Sequence, residues 1–453
     1  ILDWDKLLNV DLIFGDIALD GVYFNMKTYK KEKMSNLDKF VAAFDSGTPK
    51  PPSDEHFLLT ATKVKITNGR YSLIDENREN PKDVDFTKTD LKATALKIYG
   101  PEVSTTVHSL SFQDHRGIFV EDLSTKFTYN EKHIKLENLD LLTKESRLKG
   151  DIAMNYEIED FAHFTDKVEF DIKLEKASLA SNDIRCFYDE LGKNQFFKIK
   201  GRIKGPLNNL VLSNLRLVDS KKSQIVGTIH FRNLFPSKGK EFYMNGRFAK
   251  LSTSYEDLVT VLPNVLGKRL PVILKKLGTI NLVGDAQVTT TSLDARFAMA
   301  TLLGKVNSDL SIDNMHLSDK ASYVGNIVLD NFDLGTLLDR KDVGKTSLNL
   351  DVLGSGFSEK YLNTSLEGVV SQITYNNYAY SNVVLNGNFN KGLYKGQVSV
   401  NDPNLNMYFD GFVDLSKKTS QYDFHVNVEN ADLKKLNFMK DSISRFKGDV
   451  VVQ

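Results

Sequence analysis

The sequence predicts a mainly β fold, an elongated antiparallel sheet whose one apolar face curls into a hydrophobic groove, interrupted by a few short helices. Three observations predict it. Apolar and polar residues alternate with period two in segment after segment, as in "YDFHVNVEN", where Tyr422, Phe424, Val426 and Val428 share one parity. Successive strand side chains point to opposite faces, so such a segment has one apolar and one wet face. Turn dipeptides recur at hairpin spacing, namely Asn68-Gly69, Asn386-Gly387, Lys391-Gly392, Asp410-Gly411 and Pro206 with Asn208-Asn209. Helical patterns are few and short.

Taken in order, the first helix is "SNLDKFVAAF" near 35–44, where Ser35 and Asp38 make a capping-box-like start. "HIKLENLDLL" is a strand through Ile134, Leu136, Leu139 and Leu141, with a one-residue phase slip near Asn138 that predicts a bulge. "VEFDIKLEK" places Val168, Phe170, Ile172 and Leu174 on one face and charges on the other. "SNDIRCFYDELG", near 181–192, carries Ile184, Phe187, Tyr188 and Leu191 as a helical stripe ending at Gly192. "GTIHFRNL" is again a strand. Ser254–Gly278 is the longest helical pattern, kinked or divided by Pro263 and Pro271 and closed by Gly278. "DLSIDNMHLS", "TSLNLDVLG", "GQVSVND" and "LNMYFDGFVDLS" continue the strands. Three regions follow: 1–115 with the first helix, 116–280 with helical insertions near 181–192 and 254–278, and 281–453. The chain starts on Ile1, and "FKGDVVVQ" stops inside a strand pattern, so a longer parent protein is expected.

Four segments repeat one plan: an alternating strand, a small or acidic residue, a leucine and a helical turn. Their aligned leucines are Leu179, Leu251, Leu334 and Leu433. Asp333 and Asp432 are placed to cap the turns that follow them. The reading expects each turn to close one stack of hairpins and lead into the next.

A closed sandwich would bury the apolar faces against a second sheet. Well over twenty candidate strands are too many for a strongly twisted open sheet that neither curls nor splits, and the helices are too few to cover it. About 25–30 strands spaced about 4.8 Å apart make a trough on the order of 120–140 Å long. An acyl chain is its natural guest, since each buried methylene contributes roughly 0.8 kcal/mol. By parity the lining is Ile134, Leu136, Val168, Phe170, Ile172, Leu174, Ile229, Phe231, Leu310, Ile312, Leu348, Leu350, Val398, Val400, Met407, Phe409, Tyr422, Phe424, Val426 and Val428.

Other chemistry is weakly signalled. Lys+Arg and Asp+Glu are both 59, which argues against nucleic acid as a partner. The one cysteine, Cys186, excludes an internal disulfide framework and reads as a small side chain on a helical stripe. The eight histidines show no metal-binding spacing. Asp114, His115 and Arg116 adjoin without a positioned nucleophile, and "GSGFSEK" reads as a turn rather than a phosphate loop. No enzyme activity, metal or cofactor is expected. Lys268, Arg269, Lys275 and Lys276 among Leu270, Val272, Ile273, Leu274 and Leu277 form a basic amphipathic mix. The favoured reading packs it across one margin of the trough; the other lays it on a membrane.

"LNVDLIFGDIALDGVYFNMKTY" resembles the strand-rich segment of AsmA-like proteins. "NGRYSLIDENREN", "VDFTKTDLKATALKIYG", "IKLENLDLLTKESRLKGDIAMNY" and the stretch from "QITYNNYAY" to "ENADLKKL" are similar to successive parts of the translocation and assembly module (TamB) family of bridge-like lipid-transfer proteins. The resemblance covers most of the chain and implies an internal fragment. It implies a taco-shaped β groove in the periplasm of a Gram-negative bacterium, in a parent anchored in the inner membrane and reaching the outer. It also implies phospholipid movement between those membranes, membrane contact through other parts of the parent, and a TamA-type barrel partner met through a segment absent here. The alternative it carries is a scaffold for assembling outer-membrane proteins, which would offer strand edges to unfolded chains.

Overall fold

A computed structural model describes residues 11–42, 58–78, 82–189, 191–235, 239–261, 263, 270, 272–317, 319–358, 360–416, 419–440 and 445–453. The chain divides into two compact units, Ile1–Ser220 and Lys221–Gln453. Both are built almost wholly from strands, as the alternation predicts.

The first unit contains β1 (Leu12–Asp20), β2 (Tyr23–Thr28), β3 (Leu58–Asp75), β4 (Lys82–Tyr99), β5 (Glu102–Asp114) and β6 (Phe119–Tyr129). It continues with β7 (His133–Thr143), β8 (Arg147–Asn155), β9 (Glu169–Ala180), β10 (Phe196–Gly205) and β11 (Asn209–Asp219). The second holds β12 (Gln224–Arg232), β13 (Tyr243–Ser254), β14 (Thr279–Thr289), β15 (Leu293–Ala300), β16 (Lys305–Asp313), β17 (Ser322–Asp333) and β18 (Val343–Ser355). After these come β19 (Asn363–Tyr375), β20 (Tyr378–Asn390), β21 (Leu393–Asp402), β22 (Leu405–Asp414), β23 (Gln421–Asp432) and β24 (Arg445–Val452). The short helices are α1 (Asn36–Ala42), α2 (Phe164–Lys167), α3 (Ser181–Arg185), α4 (Tyr255–Val261) and α5 (Leu334–Leu338), with 3₁₀ turns at Ile158–His163 and Val272–Leu277.

From β3 to β11, and again from β12 to β24, each strand pairs antiparallel with the next. The first two strands depart from the antiparallel expectation. β1 and β2 lie end to end along β3, both parallel to it, and are joined across Gly21 at φ +63. Parallel neighbours cannot be joined by a tight hairpin, so the chain crosses over through α1 before β3 begins. The start of α1 is reciprocally capped: Asp38 N donates to Ser35 Oγ at 3.1 Å and Ser35 N donates to Asp38 Oδ2 at 2.8 Å.

The helical turns do follow β9, β13, β17 and β23, but they do not separate stacks. β9 pairs with β10, β13 with β14, β17 with β18 and β23 with β24, so each turn is an insertion within a hairpin and the ladder runs on past it. The predicted caps are present. Thr336 N donates to Asp333 Oδ1 at 2.9 Å, and Lys435 N donates to Asp432 Oδ1 at 3.2 Å. The 181–192 helix is shorter than its pattern, ending at Arg185, and Phe187 turns outward beneath the Arg116 guanidinium, 4.6 Å from its ring centre.

Three of the five turn dipeptides sit inside strands. Asn68-Gly69 is a bulge in β3, while Asn386-Gly387 and Asp410-Gly411 lie mid-strand in β20 and β22. Each of these glycines lies where a Cβ would be crowded, Gly69 by the Ile66 side chain, Gly387 by the Tyr394 ring and Gly411 by the neighbouring backbone. A Cβ on Gly411 would stand 2.3 Å from the Asp423 carbonyl oxygen and 2.5 Å from Phe424 Cα, and its φ is +144. Glycine there lets the strand bend rather than turn. The bulge predicted at Asn138 is present, with φ +55 and a register shift between Leu136 and Leu139.

Candidate apolar binding face

In the second unit the ladder can be followed residue by residue, because directly paired residues share a face. One row runs Ile229, Gly246, Ala286, Ala295, Leu310, Gly325, Val352, Leu366, Gly387, Gly396, Gly411, Phe424, Val452, one residue from each of thirteen strands. All thirteen are apolar. A second row on the same face runs Phe297, Ser308, Ile327, Leu350, Gly368, Leu385, Val398, Phe409, Val426, Val450, with Ser308 the one polar residue in it. A third runs Met299, Val306, Leu329, Leu348, Val370, Val383, Val400, Met407, Val428.

The opposite face reads Arg247, Asp285, Arg296, Asp309, Asn326, Asp351, Glu367, Asn386, Gln397, Asp410, His425 along one row. Its charges pair across strands, Arg247 with Asp285 at 3.2 Å and Arg296 with Asp309 at 2.5 Å. These exposed pairs fix little energy; what they establish is which face is wet.

The first unit repeats the arrangement on its own sheet. Gly205, Phe170, Met154, Ile134, Tyr129, Val103, Ile98, Leu59 and Leu12 form one row, and Leu212, Ile203, Ile172, Ile152, Leu136 and Phe127 another. On its wet face Asp171 takes Arg202 at 2.6 Å and Lys204 at 3.3 Å. Asp140 takes Arg147 and Lys149 at 2.8 and 2.7 Å. The hydrogen bond from Arg147, aided by Lys149, overcomes partial burial and lowers the Asp140 carboxyl to about 2.

The predicted lining residues fall on these apolar faces except Val168, which precedes β9 and ends α2. Of the twenty, thirteen are half-buried: Ile134, Leu136, Phe170, Ile172, Phe231, Leu310, Ile312, Leu348, Val398, Met407, Phe409, Phe424 and Val426. Tyr422 is exposed. Val168, Leu174, Ile229, Leu350, Val400 and Val428 are buried and support the face rather than open onto it. A closed sandwich would bury the whole set. Instead the inner residues of β14 and β15, Ile280, Leu282, Ala286, Val288, Leu293, Ala295, Phe297 and Met299, are all half-buried. Parity reading missed many of these, and Leu385 and the glycines with them, because runs such as "NVVLNG" hide the phase of alternation.

One margin of the second unit's face is closed by helical turns. Leu277, Leu303 and Phe332 form a buried cluster there with Leu274, Met299, Val306, Leu329 and Leu337. Lys275 is held by Glu256 at 2.8 Å, and Lys276 by Asp339 at 2.6 Å and the Leu337 carbonyl at 2.9 Å. Those two lysines thus pin the segment across the margin; Lys268, Arg269 and Pro271 lie outside the described residues. A second cluster joins Tyr380, Val428, Ala431 and Leu436, with Leu433 against it. Of the other repeat leucines, Leu179 and Leu251 lie within β9 and β13, paired with Phe197 and Leu282, and Leu334 opens α5. The Tyr380 hydroxyl is buried without a hydrogen-bond partner, an arrangement that costs about 1–3 kcal/mol.

Asp114, His115 and Arg116 close the hairpin between β5 and β6, Arg116 donating to both Asp114 carboxylate oxygens at 2.8 Å. Cys186 is half-buried. Among the described residues no three metal-binding side chains converge, and no helix is long and apolar enough to cross a membrane. No protein-family model, curated protein or solved structure matches the chain.

Proposed function

We propose that this protein moves phospholipids between two membranes by sheltering their acyl chains on the apolar faces of its sheets. The observation that carries the reading is the unbroken apolar row from Ile229 to Val452, one residue per strand, on a face left half open. Tails need a lining without gaps, because any polar break exposes hydrocarbon to water or strands an unpaired polar group. A half-open face also suits a cargo that enters and leaves. The family resemblance in the sequence supplies the setting of the proposal, the periplasm of a Gram-negative cell, and its product, outer-membrane homeostasis.

The test is purification of the full chain with minimal detergent, followed by extraction and mass spectrometry. Phospholipid is expected at reproducible stoichiometry. Phe424→Asp and Val426→Asp, like Phe170→Asp and Ile172→Asp in the first unit, should lower it about tenfold, since the lining then carries an ion that tails cannot solvate. Val384→Asp, at a position 48% exposed on the wet face and flanked by Val369 and Ser399, should leave it unchanged. Lipid-free wild-type protein, or full lipid in the Phe424 and Val426 variants, would sink the reading.

A second reading, a scaffold for unfolded outer-membrane polypeptides acting with a TamA-type barrel, draws on the parallel edge. Among the described residues β1 pairs only with β3, and Ile13 and Phe14 are exposed along it, whereas β2 is bridged to Ser35 through Thr28 and Asn36 accepts from Lys27 N at 2.7 Å and donates Nδ2 to the Asn25 carbonyl at 2.9 Å. Such an edge suits strand addition. Ala18→Pro should then impair outer-membrane protein assembly while co-purifying lipid stays constant.

A further inference from the structure

Tyr380 lies in β20, paired across the ladder with Ile373, and belongs to a buried cluster with Val428, Ala431 and Leu436 against which Val383, Met407 and Val426 of the apolar face pack; its ring meets that of Tyr378 edge-on at 4.8 Å. Only 8% of the residue is exposed, and its hydroxyl has no hydrogen-bond partner. The polar groups beside it are already committed. Tyr378 donates its hydroxyl to Asp402 Oδ1 and accepts from Asn404 Nδ2 at 2.9 Å. Asp402 Oδ1 also accepts from Asn404 N at 2.9 Å, and Oδ2 accepts from Ser381 N at 2.9 Å and Ser381 Oγ at 2.8 Å. This network is complete without Tyr380, so the buried hydroxyl is left with a hydrogen to donate at the border between the network and the apolar cluster.

We propose that Tyr380 is a polar anchor for an ester-linked acyl lipid, its hydroxyl donating a hydrogen bond to an ester carbonyl oxygen. The proposal rests on the acyl-lipid reading of the face. The chemistry of the surroundings selects the group. A phosphate or ammonium brought here would need a counter-charge, and the nearby carboxylate of Asp402 is already satisfied. A neutral acceptor joined directly to hydrocarbon needs only the donor, and the ester carbonyl at the head of each chain is such a group. Leu433 and Leu436 close the cluster from the turn after β23, and an acyl lipid that reaches the Tyr380 hydroxyl must displace them. That turn is closed internally by Leu436 N donating to the Asp432 carbonyl at 3.0 Å and Phe438 N to the Leu433 carbonyl at 2.9 Å, and it is tied to the link between β19 and β20 by Asn437 Nδ2 donating to the Asn376 carbonyl at 2.9 Å.

The experiment uses the delipidated full chain, wild type and Tyr380→Phe, titrated with dioleoyl phosphatidylcholine and with its ether-linked analogue, binding being read by native mass spectrometry. Wild type should hold the ester lipid about fivefold more tightly than the ether, the worth of one neutral hydrogen bond. Tyr380→Phe should hold both equally, at the ether level, and melt no lower than wild type. Equal affinity of the two proteins for the ester lipid overturns the anchor, as it would if an ordered water satisfied the hydroxyl. Equal losses on both lipids overturn the carbonyl assignment. Wild type that binds neither lipid overturns the acyl-lipid reading, and the anchor with it.

Discussion

At the scale of single residues, neighbours in one strand have opposite fates. Val383 and Leu385 are half-buried on the apolar face, while Val384 between them is 48% exposed on the other. Hydrophobicity alone cannot make that distinction; strand parity does. Charge pairs on the wet face are minor contributors with one exception open to test. The Asp140 carboxyl, lowered to about 2 by Arg147 and Lys149, gives stability that is present above its ordinary value near 3.8 and lost as pH falls through about 2. Solvent screening at this partly exposed site holds the contribution to about 1 kcal/mol. Asp140→Asn should therefore be less stable by about that amount in urea at pH 6, with the gap to wild type closing as pH falls from about 4 to about 2. A gap that persists at the lowest pH would mean Asp140 acts by packing. The residues of the apolar face were legible in the sequence where alternation was clean, as from Tyr422 to Val428. Tyr380 was not, because "NYAYSN" places apolar and polar residues without a phase.

Among the elements, the strands and the caps were readable and the bends were not. Ser35 with Asp38, and Asp333 before α5, act as their spacing predicts, since a cap depends on residues three apart in one segment. Asp333→Ala should cost about 1 kcal/mol in urea denaturation, the usual worth of an N-cap. The mid-strand Asn-Gly and Asp-Gly pairs misled because the same dipeptide serves a hairpin turn or a crowded strand position, and what decides is the packing around the glycine, the Asp423 carbonyl at Gly411 and the Tyr394 ring at Gly387. Gly411→Ala should destabilise by about 1–3 kcal/mol, since the residue sits at φ +144 with the Asp423 carbonyl in the way. Gly15→Ala, whose Cβ would meet nothing within 4 Å, should be neutral in the same assay. Equal effects at the two glycines would mean that the strand in β22 is not bent by close approach. The helical turns were correctly expected, but their role was not, because a sequence repeat cannot say whether the strands on either side of it pair.

For the molecule as a whole, the mainly β class follows from period-two alternation sustained over hundreds of residues, a signal no helical protein produces. The direction of the first two strands was invisible, because alternation looks the same in a parallel and an antiparallel partner. Each unit carries an apolar face of its own, traced through its own ladder, and the proposal of lipid transport depends on those faces being where the tails lie. The most direct measurement is site-specific photocrosslinking in cells, with a photoreactive residue placed in turn at Val383, Val384 and Leu385. Phospholipid adducts at Val383 and Leu385 but not at Val384, the most exposed of the three, are the result expected. Adducts at Val384 alone, or at none of the three, would contradict the claim that lipid occupies the apolar face.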